Sequence, residues 1–315
     1  MKNFLSVHDV HNVEELAQQA ILIKQNKFAY QNLGKNKTMV LIFLNSSLRT
    51  RISTQKAAQN LGMQTIVLNL TQDSWSMEYE DGAIMNEGKA EHIKEGAAVI
   101  SEYADIIGIR AFPSLIDKEK DYEEYVLNKF LANVKVPIVN MESATVHPLQ
   151  SLTDLMTIRE YTNKKRPKVV LSWAPHIKAL PQCVANSFSE WMNNADVDFM
   201  ITHPEGYELN QKFSGNAKIE YNQEKAFEQA DFIYAKNWSA FEDYGKILDV
   251  KEDWIINDAK MKLTNNAKFM HCLPTRRNLE ISDDVLDSEY SLVIQQAANR
   301  EFAAQAVIKN ILENN

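Results

Sequence analysis

Cysteine is nearly missing: Cys183 and Cys272 are the only two in 315 residues, far apart and outside any metal-ligating spacing. That excludes a disulfide framework and a cysteine-based metal site, and fits a reducing compartment. Long apolar runs are also missing, and none reaches the roughly 20 residues that a membrane-spanning helix needs. The opening Met1-Lys2-Asn3-Phe4-Leu5 has neither the apolar core nor the cleavage site of a secretory signal. A cytoplasmic protein with no membrane role is expected. Positive charge is in deficit, 34 Lys and Arg against 42 Asp and Glu, a formal net charge of −8. With no basic stripe interleaved with aromatics, nucleic-acid binding is not expected. No Gly-x-Gly-x-x-Gly turn follows a strand pattern, which argues against a dinucleotide-binding oxidoreductase. Repeats, low-complexity tracts and Gly/Ser linkers are absent. No His/Asp/Glu spacing suggests a metal, and no cofactor is expected.

What is present reads as α/β. At this length and 45% hydrophobic content, two domains are the default. The apolar run Met39-Val40-Leu41-Ile42-Phe43-Leu44 is a buried-strand signal, and strand patterns recur at 65–70, 105–109, 136–140, 168–173, 197–202, 231–235 and 268–270. Helical patterns lie at 93–103, 122–131, 149–161, 182–193 and 295–312, and Asn12-Val13-Glu14-Glu15 reads as a capping box opening a further helix. Strands alternating with helices predict two doubly wound parallel sheets, with a boundary near His147. Ligands of such sheets bind outside the carboxyl ends of strands. The first polar residues beyond those ends are Arg110, Glu142, His147, His176, Lys236 and the turn after Met270.

Ser47-Leu48-Arg49-Thr50-Arg51 follows the first strand pattern and opens a helical segment ending at Gly62. Unpaired N–H groups and the helix dipole favour an anion there, and Ser47, Arg49 and Thr50 add hydroxyls and a guanidinium. A plain helix cap before exposed basic residues is the alternative. His147-Pro148-Leu149-Gln150 with Asp154, His271-Cys272-Leu273-Pro274 and Asn299-Arg300 follow in order.

Together these motifs resemble the carbamoyltransferases, from about residue 40 to about 305: a Ser-x-Arg-Thr-Arg phosphate loop, then His-Pro-x-Gln, then His-Cys-Leu-Pro, the last pointing to the ornithine branch. The resemblance implies that Ser47, Leu48 through its N–H, Arg49 and Thr50 hold the phosphate of carbamoyl phosphate. Arg110 then bridges phosphate and carbonyl, His147 donates to the carbonyl oxygen, and Gln150 fixes the amide. Cys272, Leu273 and Arg300 complete that set, with Arg110, His147 and Cys272 as the catalytic group. It also implies that the last helix returns to the first domain, giving domains 1–146 plus 300–315 and 147–299. The stretch from Pro175 to Pro181 looks like the loop that knots the second domain in the N-acylornithine branch.

Trp75, in Ser74-Trp75-Ser76-Met77-Glu78, matches the tryptophan that this branch sends into a neighbouring active site of a homotrimer; core or interface packing is the plain alternative. The Ser-Met-Gly motif of enzymes using free ornithine is missing from Ala235-Lys236-Asn237-Trp238-Ser239-Ala240-Phe241. A lysine there repels an α-ammonium and attracts a carboxylate, which suggests a masked α-amine. Glu142 and His176 match the branch's other acceptor contacts, with Arg276 and Leu273 adjacent. Acetyl-using relatives carry glutamate and succinyl-using relatives proline at the position of Ala90. Uncharged alanine, with Lys89, Lys236 and Arg276 as positive neighbours, favours N-succinyl-L-ornithine as acceptor. N-acetyl-L-ornithine, free ornithine and a catalytically silent relative are the alternatives.

Overall fold

The computed structural model describes residues 1–70 and 72–314; Asn315, at the end of the expected 300–315 segment, lies outside them. The chain divides into two compact units. The first comprises Met1–His11, Gln19–Leu149 and Arg300–Asn315, and the second Asn12–Gln18 and Gln150–Asn299.

In the first unit the strands are β1 (Thr38–Phe43), β2 (Gln64–Asn69), β3 (Met77–Glu78), β4 (Glu91–His92), β5 (Ile106–Arg110) and β6 (Ile138–Glu142). Four form a parallel sheet in the order β2-β1-β5-β6, and β3 pairs with β4 separately. Met39 to Phe43 of β1 and all of β5 and β6 are buried, as the near-continuous apolar runs of a sheet covered on both faces require. Chain direction across the sheet reverses between β1 and β5, where Phe43 sits in register with Arg110. Such a switch point opens a crevice at the strands' carboxyl ends.

The second unit repeats the plan with β7 (Lys168–Trp173), β8 (Asp198–Thr202), β9 (Lys218–Glu220), β10 (Phe232–Lys236) and β11 (Lys268–Met270), all parallel, in the order β11-β10-β7-β8-β9. Its switch point lies between β7 and β10, where Lys236 is in register with Trp173. Four tryptophans are buried in this unit: Trp173, Trp191, Trp238 and Trp254. The Trp173 indole donates to the Trp238 carbonyl at 3.0 Å, and the Trp238 indole to the Tyr207 carbonyl at 2.8 Å.

The expected strands and helices recur within a few residues, with exceptions that have physical causes. The helix read over 122–131 is two, Lys118–Tyr122 and Tyr125–Leu131, interrupted at Glu124, whose φ is 53°. β3, β4 and β9 went unread because two or three residues with charged members carry no periodic signal. Asn12 caps the helix Val13–Gln25, its side-chain oxygen accepting from the Glu14 and Glu15 N–H groups. The reciprocal bond differs from a capping box, because the Glu15 carboxylate takes the Asn12 amide. No helix among the described residues is long and apolar enough to cross a membrane.

Gly62 ends the helix Arg49–Asn60 at φ 86°, and a Cβ there would lie 2.0 Å from the Gln31 carbonyl oxygen. Gly62→Ala is therefore expected to lower stability by about 1–3 kcal/mol from the backbone conformation, with a further clash term. Urea unfolding checks this; a midpoint equal to that of the parent chain contradicts it.

Candidate active site

The helix Arg49–Asn60 begins without a side-chain cap. Beside it opens a cavity of about 420 Å³ whose lining includes Ser47, Leu48, Arg51, Asn45 and Ser46. Arg49 is half-buried and Thr50 buried. Arg51 was read as part of the motif but not as a site residue; its place in the cavity wall follows from the three- and four-residue spacing of helix neighbours.

Arg110, at the end of β5, is held on three sides. Its Nε donates to Glu142 Oε2 at 3.0 Å, and its Nη1 to the carbonyls of Asn45 at 3.1 Å and Ser46 at 2.9 Å. Phe112 stacks 4.0 Å from the guanidinium carbon. Of the five N–H groups on a guanidinium, only the two on Nη2 have no protein partner among the described residues. The residue is 6% exposed, so its aim is fixed by packing as well as by charge.

His147 stands 3.6 Å from the same Glu142 oxygen, and Arg300 Nη2 lies 3.5 Å from His147 Nε2 and 2.7 Å from Thr50 Oγ1. Burial first, then the charges of Arg300 and Arg110, hold the imidazole well below its ordinary pKa, so it is neutral. Nε2 faces both the Arg300 guanidinium and the Glu142 carboxylate, whereas Nδ1 meets no hydrogen-bond partner among the described residues. Thr50, Arg110, Glu142, His147 and Arg300 thus form one contiguous cluster in the first unit. Arg110 and His147 thus meet on the one Glu142 carboxylate.

Trp75, on the loop before β3, and Ala90, at the end of the loop from β3 to β4, make no hydrogen bond to that cluster among the described residues. Trp75 is 57% exposed, but its indole N–H goes to Glu91 Oε2 at 2.7 Å instead of standing ready for a phosphate. Ala90 is exposed, and its N–H reaches the Ser76 carbonyl at 3.2 Å. Lys89 pairs with Glu78 at 2.9 Å, so its positive charge is largely cancelled where the sequence reading counted it toward an anionic acceptor.

In the second unit, His176 follows β7 and accepts at Nε2 from Arg276 Nε at 3.0 Å. Glu280, unread in the sequence, lies 3.6 Å from His176 and 3.5 Å from His271, and accepts from the Thr275 hydroxyl at 2.6 Å and the Arg276 N–H at 3.2 Å. Its sequence neighbours carry no motif, so only folding could reveal it. Lys236 ends β10 half-buried, with no ion pair among the described residues. The loop carrying His176 is stitched to the stretch after Lys236 by Asn237 Nδ2 to the Ala174 carbonyl (2.6 Å), the Ser239 N–H to the Leu180 carbonyl (2.9 Å) and Gln182 Nε2 to the Ser239 carbonyl (2.9 Å).

Gln150 and Gln296 both donate to Asp154 Oδ1, at 2.7 and 2.6 Å, and the His271 N–H donates to Gln296. Tyr234, whose hydroxyl faces Asp154 and Cys272, is pushed well above the usual phenol range by burial first and then by those neighbours. Gln150, Asp154, Gln296 and the His271 N–H therefore form one buried hydrogen-bond network. Leu273 adopts φ 55°, a left-handed backbone that a side chain disfavours, and packs partly on the second core. Neither cysteine forms a disulfide, and among the described residues no group of three or more His, Cys, Asp or Glu could hold a metal ion.

Residues 2–160 match the model of the aspartate/ornithine carbamoyltransferase carbamoyl-P binding domain, and residues 181–311 that of the Asp/Orn binding domain. The chain is 53% identical over 316 residues to the N-succinylornithine carbamoyltransferase of Bacteroides fragilis, covering 100% of this chain and 99% of that one. It is 36% identical over 331 residues to the N-acetylornithine carbamoyltransferase of Xylella fastidiosa, covering 98% of each. A crystal structure of an N-acetyl-L-ornithine transcarbamylase carrying a glutamate-to-alanine mutation, complexed with carbamyl phosphate and N-succinyl-L-norvaline, superposes with a TM-score of 0.92. That protein is 35% identical to this chain, with 99% of this chain and 100% of the other covered.

Neutral His147 has a consequence for pH. The unfolded chain binds a proton at this residue near 6.5, whereas the folded chain does so only well below. Between those values the unfolded state holds more protons, so stability present above 6.5 is lost as pH falls, by about 1.4 kcal/mol per pH unit at most. Urea midpoints between pH 7.5 and 5.5 are expected to fall more steeply for the parent chain than for His147→Gln. Parallel slopes contradict the neutral assignment.

Proposed function

The chain belongs to the aspartate/ornithine carbamoyltransferase family, and from that membership we propose that it transfers the carbamoyl group of carbamoyl phosphate to the side-chain amine of N-succinyl-L-ornithine. The products are N-succinyl-L-citrulline and phosphate, a step of arginine biosynthesis. The observation that carries the reading is the aim of Arg110: three donors locked on protein acceptors, two on Nη2 without a partner among the described residues, and a neutral, buried His147 in the same cluster.

In this reading the dianionic phosphate occupies the cavity at the start of the helix Arg49–Asn60, with Ser47, Leu48 N–H, Arg49 and Thr50 as donors and Arg51 in the wall. Arg110 Nη2 and the His147 imidazole are assigned to the carbamoyl oxygen, where negative charge grows as the amine attacks. Donors fixed in advance on such an oxygen are each worth roughly 3 to 4 kcal/mol. Gln150, whose amide nitrogen is taken by Asp154, offers its carbonyl to the carbamoyl NH2. The amine nitrogen forms a bond to the carbonyl carbon, the bond from that carbon to the phosphate oxygen breaks, and the phosphate leaves with a proton from the nitrogen. Cys272 and Leu273 are assigned to orienting the amine, and Lys236, His176 and Arg276 to the acceptor's carboxylates.

Succinyl rather than acetyl is supported by four things: identity to the Bacteroides relative, uncharged Ala90, unpaired Lys236, and the alanine variant of the acetyl enzyme seen with a succinyl ligand. Steady-state assays with carbamoyl phosphate and ornithine, N-acetylornithine or N-succinylornithine test this directly. The succinyl compound is expected to give the highest kcat/KM, and Ala90→Glu to move preference toward the acetyl compound by at least about tenfold, roughly 1.4 kcal/mol. Turnover with free ornithine alone contradicts the reading.

The proposal includes a cytoplasmic homotrimer in which the Trp75 loop serves a neighbouring subunit. Its exposed indole body is consistent with that use, the indole N–H being already engaged by Glu91. Mixing inactive Trp75→Ala with inactive Arg110→Ala is expected to restore a fraction of activity after subunit exchange. Verified exchange without recovery removes the shared site.

A further inference from the structure

Glu124 interrupts two helices with a left-handed backbone, φ 53°, that residues bearing a Cβ rarely adopt. It is also the N-cap residue of the helix Tyr125–Leu131, yet its side chain caps nothing there. Instead the carboxylate turns inward to the segment after β6. It accepts from Ser143 Oγ at 2.7 Å, the Ala144 N–H at 3.1 Å, the Thr145 N–H at 2.8 Å and Thr145 Oγ1 at 2.5 Å. Ser143 and Thr145 are buried. This turn separates Glu142 from His147, the two groups that share an oxygen-to-nitrogen approach of 3.6 Å.

We propose that Glu124 is a positioning residue for carbamoyl transfer: its carboxylate gathers four of the five donors of the 143–145 turn and thereby fixes the aim of Glu142 and His147 at the turn's two ends. The inference rests on the transfer reading given above. Four hydrogen bonds to one buried carboxyl group cannot loosen one at a time without leaving buried donors unpaired. Asn140 Nδ2, at 2.8 Å from Ser143 Oγ, and the Ser143 N–H, at 2.9 Å from the Val146 carbonyl, close the turn on its other side. The left-handed backbone at 124 is the conformation that delivers the carboxylate to this place. Water could satisfy the same donors, but it would not tie them to a fixed point of the chain.

The test compares kcat and both KM values for the parent enzyme, Glu124→Gln, Glu124→Gly and, as reference, His147→Gln, together with the ring nitrogen NMR signals of His147. Glycine keeps the left-handed backbone while removing the carboxylate, so it separates the two effects. A displacement of the turn by about 1 Å is expected to lower kcat by about 10- to 100-fold in both Glu124 variants, with cooperative melting and little change in either KM. Formate is expected to restore part of the kcat in Glu124→Gly and none in His147→Gln, and the His147 signals to shift in Glu124→Gly. Near-parent kcat in a folded Glu124 variant while His147→Gln is impaired overturns the inference alone. So does a loss that merely follows the melting temperature and that formate does not relieve. Should the parent chain transfer no carbamoyl group, the transfer reading falls. The His147 signals then decide the rest: unmoved in Glu124→Gly or Glu124→Gln they overturn the inference, and displaced they support it.

Discussion

The pair between Arg110 and Glu142, 3.0 Å apart and almost wholly buried, is the constraint around which the first unit's cluster is arranged. Two charges removed from water cost more than they return unless the geometry is good and the remaining donors are satisfied. Here the carbonyls of Asn45 and Ser46 and the ring of Phe112 meet that condition on the arginine side. The consequence is directional. A guanidinium fixed at Nε and Nη1 has one edge left, and no side-chain rotation can redirect it without stranding a buried carboxylate.

Local fields then outweigh the chain's overall negative charge. Arg300 and Arg110 both press on His147, and the imidazole remains neutral because burial and two guanidiniums act in the same direction. A neutral ring can donate from one nitrogen and accept at the other, which suits a carbonyl that gains and then loses negative charge. The second unit uses a different device. His176, His271, the Thr275 hydroxyl and the Arg276 N–H converge on one buried carboxylate, Glu280.

Much of this was legible in sequence where period and motif coincide. The apolar run before Ser47 predicted β1, and strand ends predicted that Arg110, His176 and Lys236 lie at carboxyl edges, because parallel strands announce themselves by continuous burial. The switch points were not legible, since strand order depends on crossovers that leave no local trace. Glu124 was read as mid-helix because its neighbours have helical spacing; four donors about twenty residues away override that preference. Lys89 and Trp75 were read by type and not by partner, and Glu78 and Glu91 alter what each can offer. Glu280 had no signal at all, its role arising only when distant segments meet.

The distribution of indoles gives the two units separate optical identities. Of five tryptophans, Trp173, Trp191, Trp238 and Trp254 are enclosed in the second unit, whereas Trp75 alone belongs to the first and lies 57% open to solvent. Blue-shifted emission therefore comes from the second unit's interior, and the quenchable red edge from the loop before β3. Fluorescence lifetime or iodide quenching can follow that loop without any added label, against a background of four chromophores that change only when the second unit comes apart.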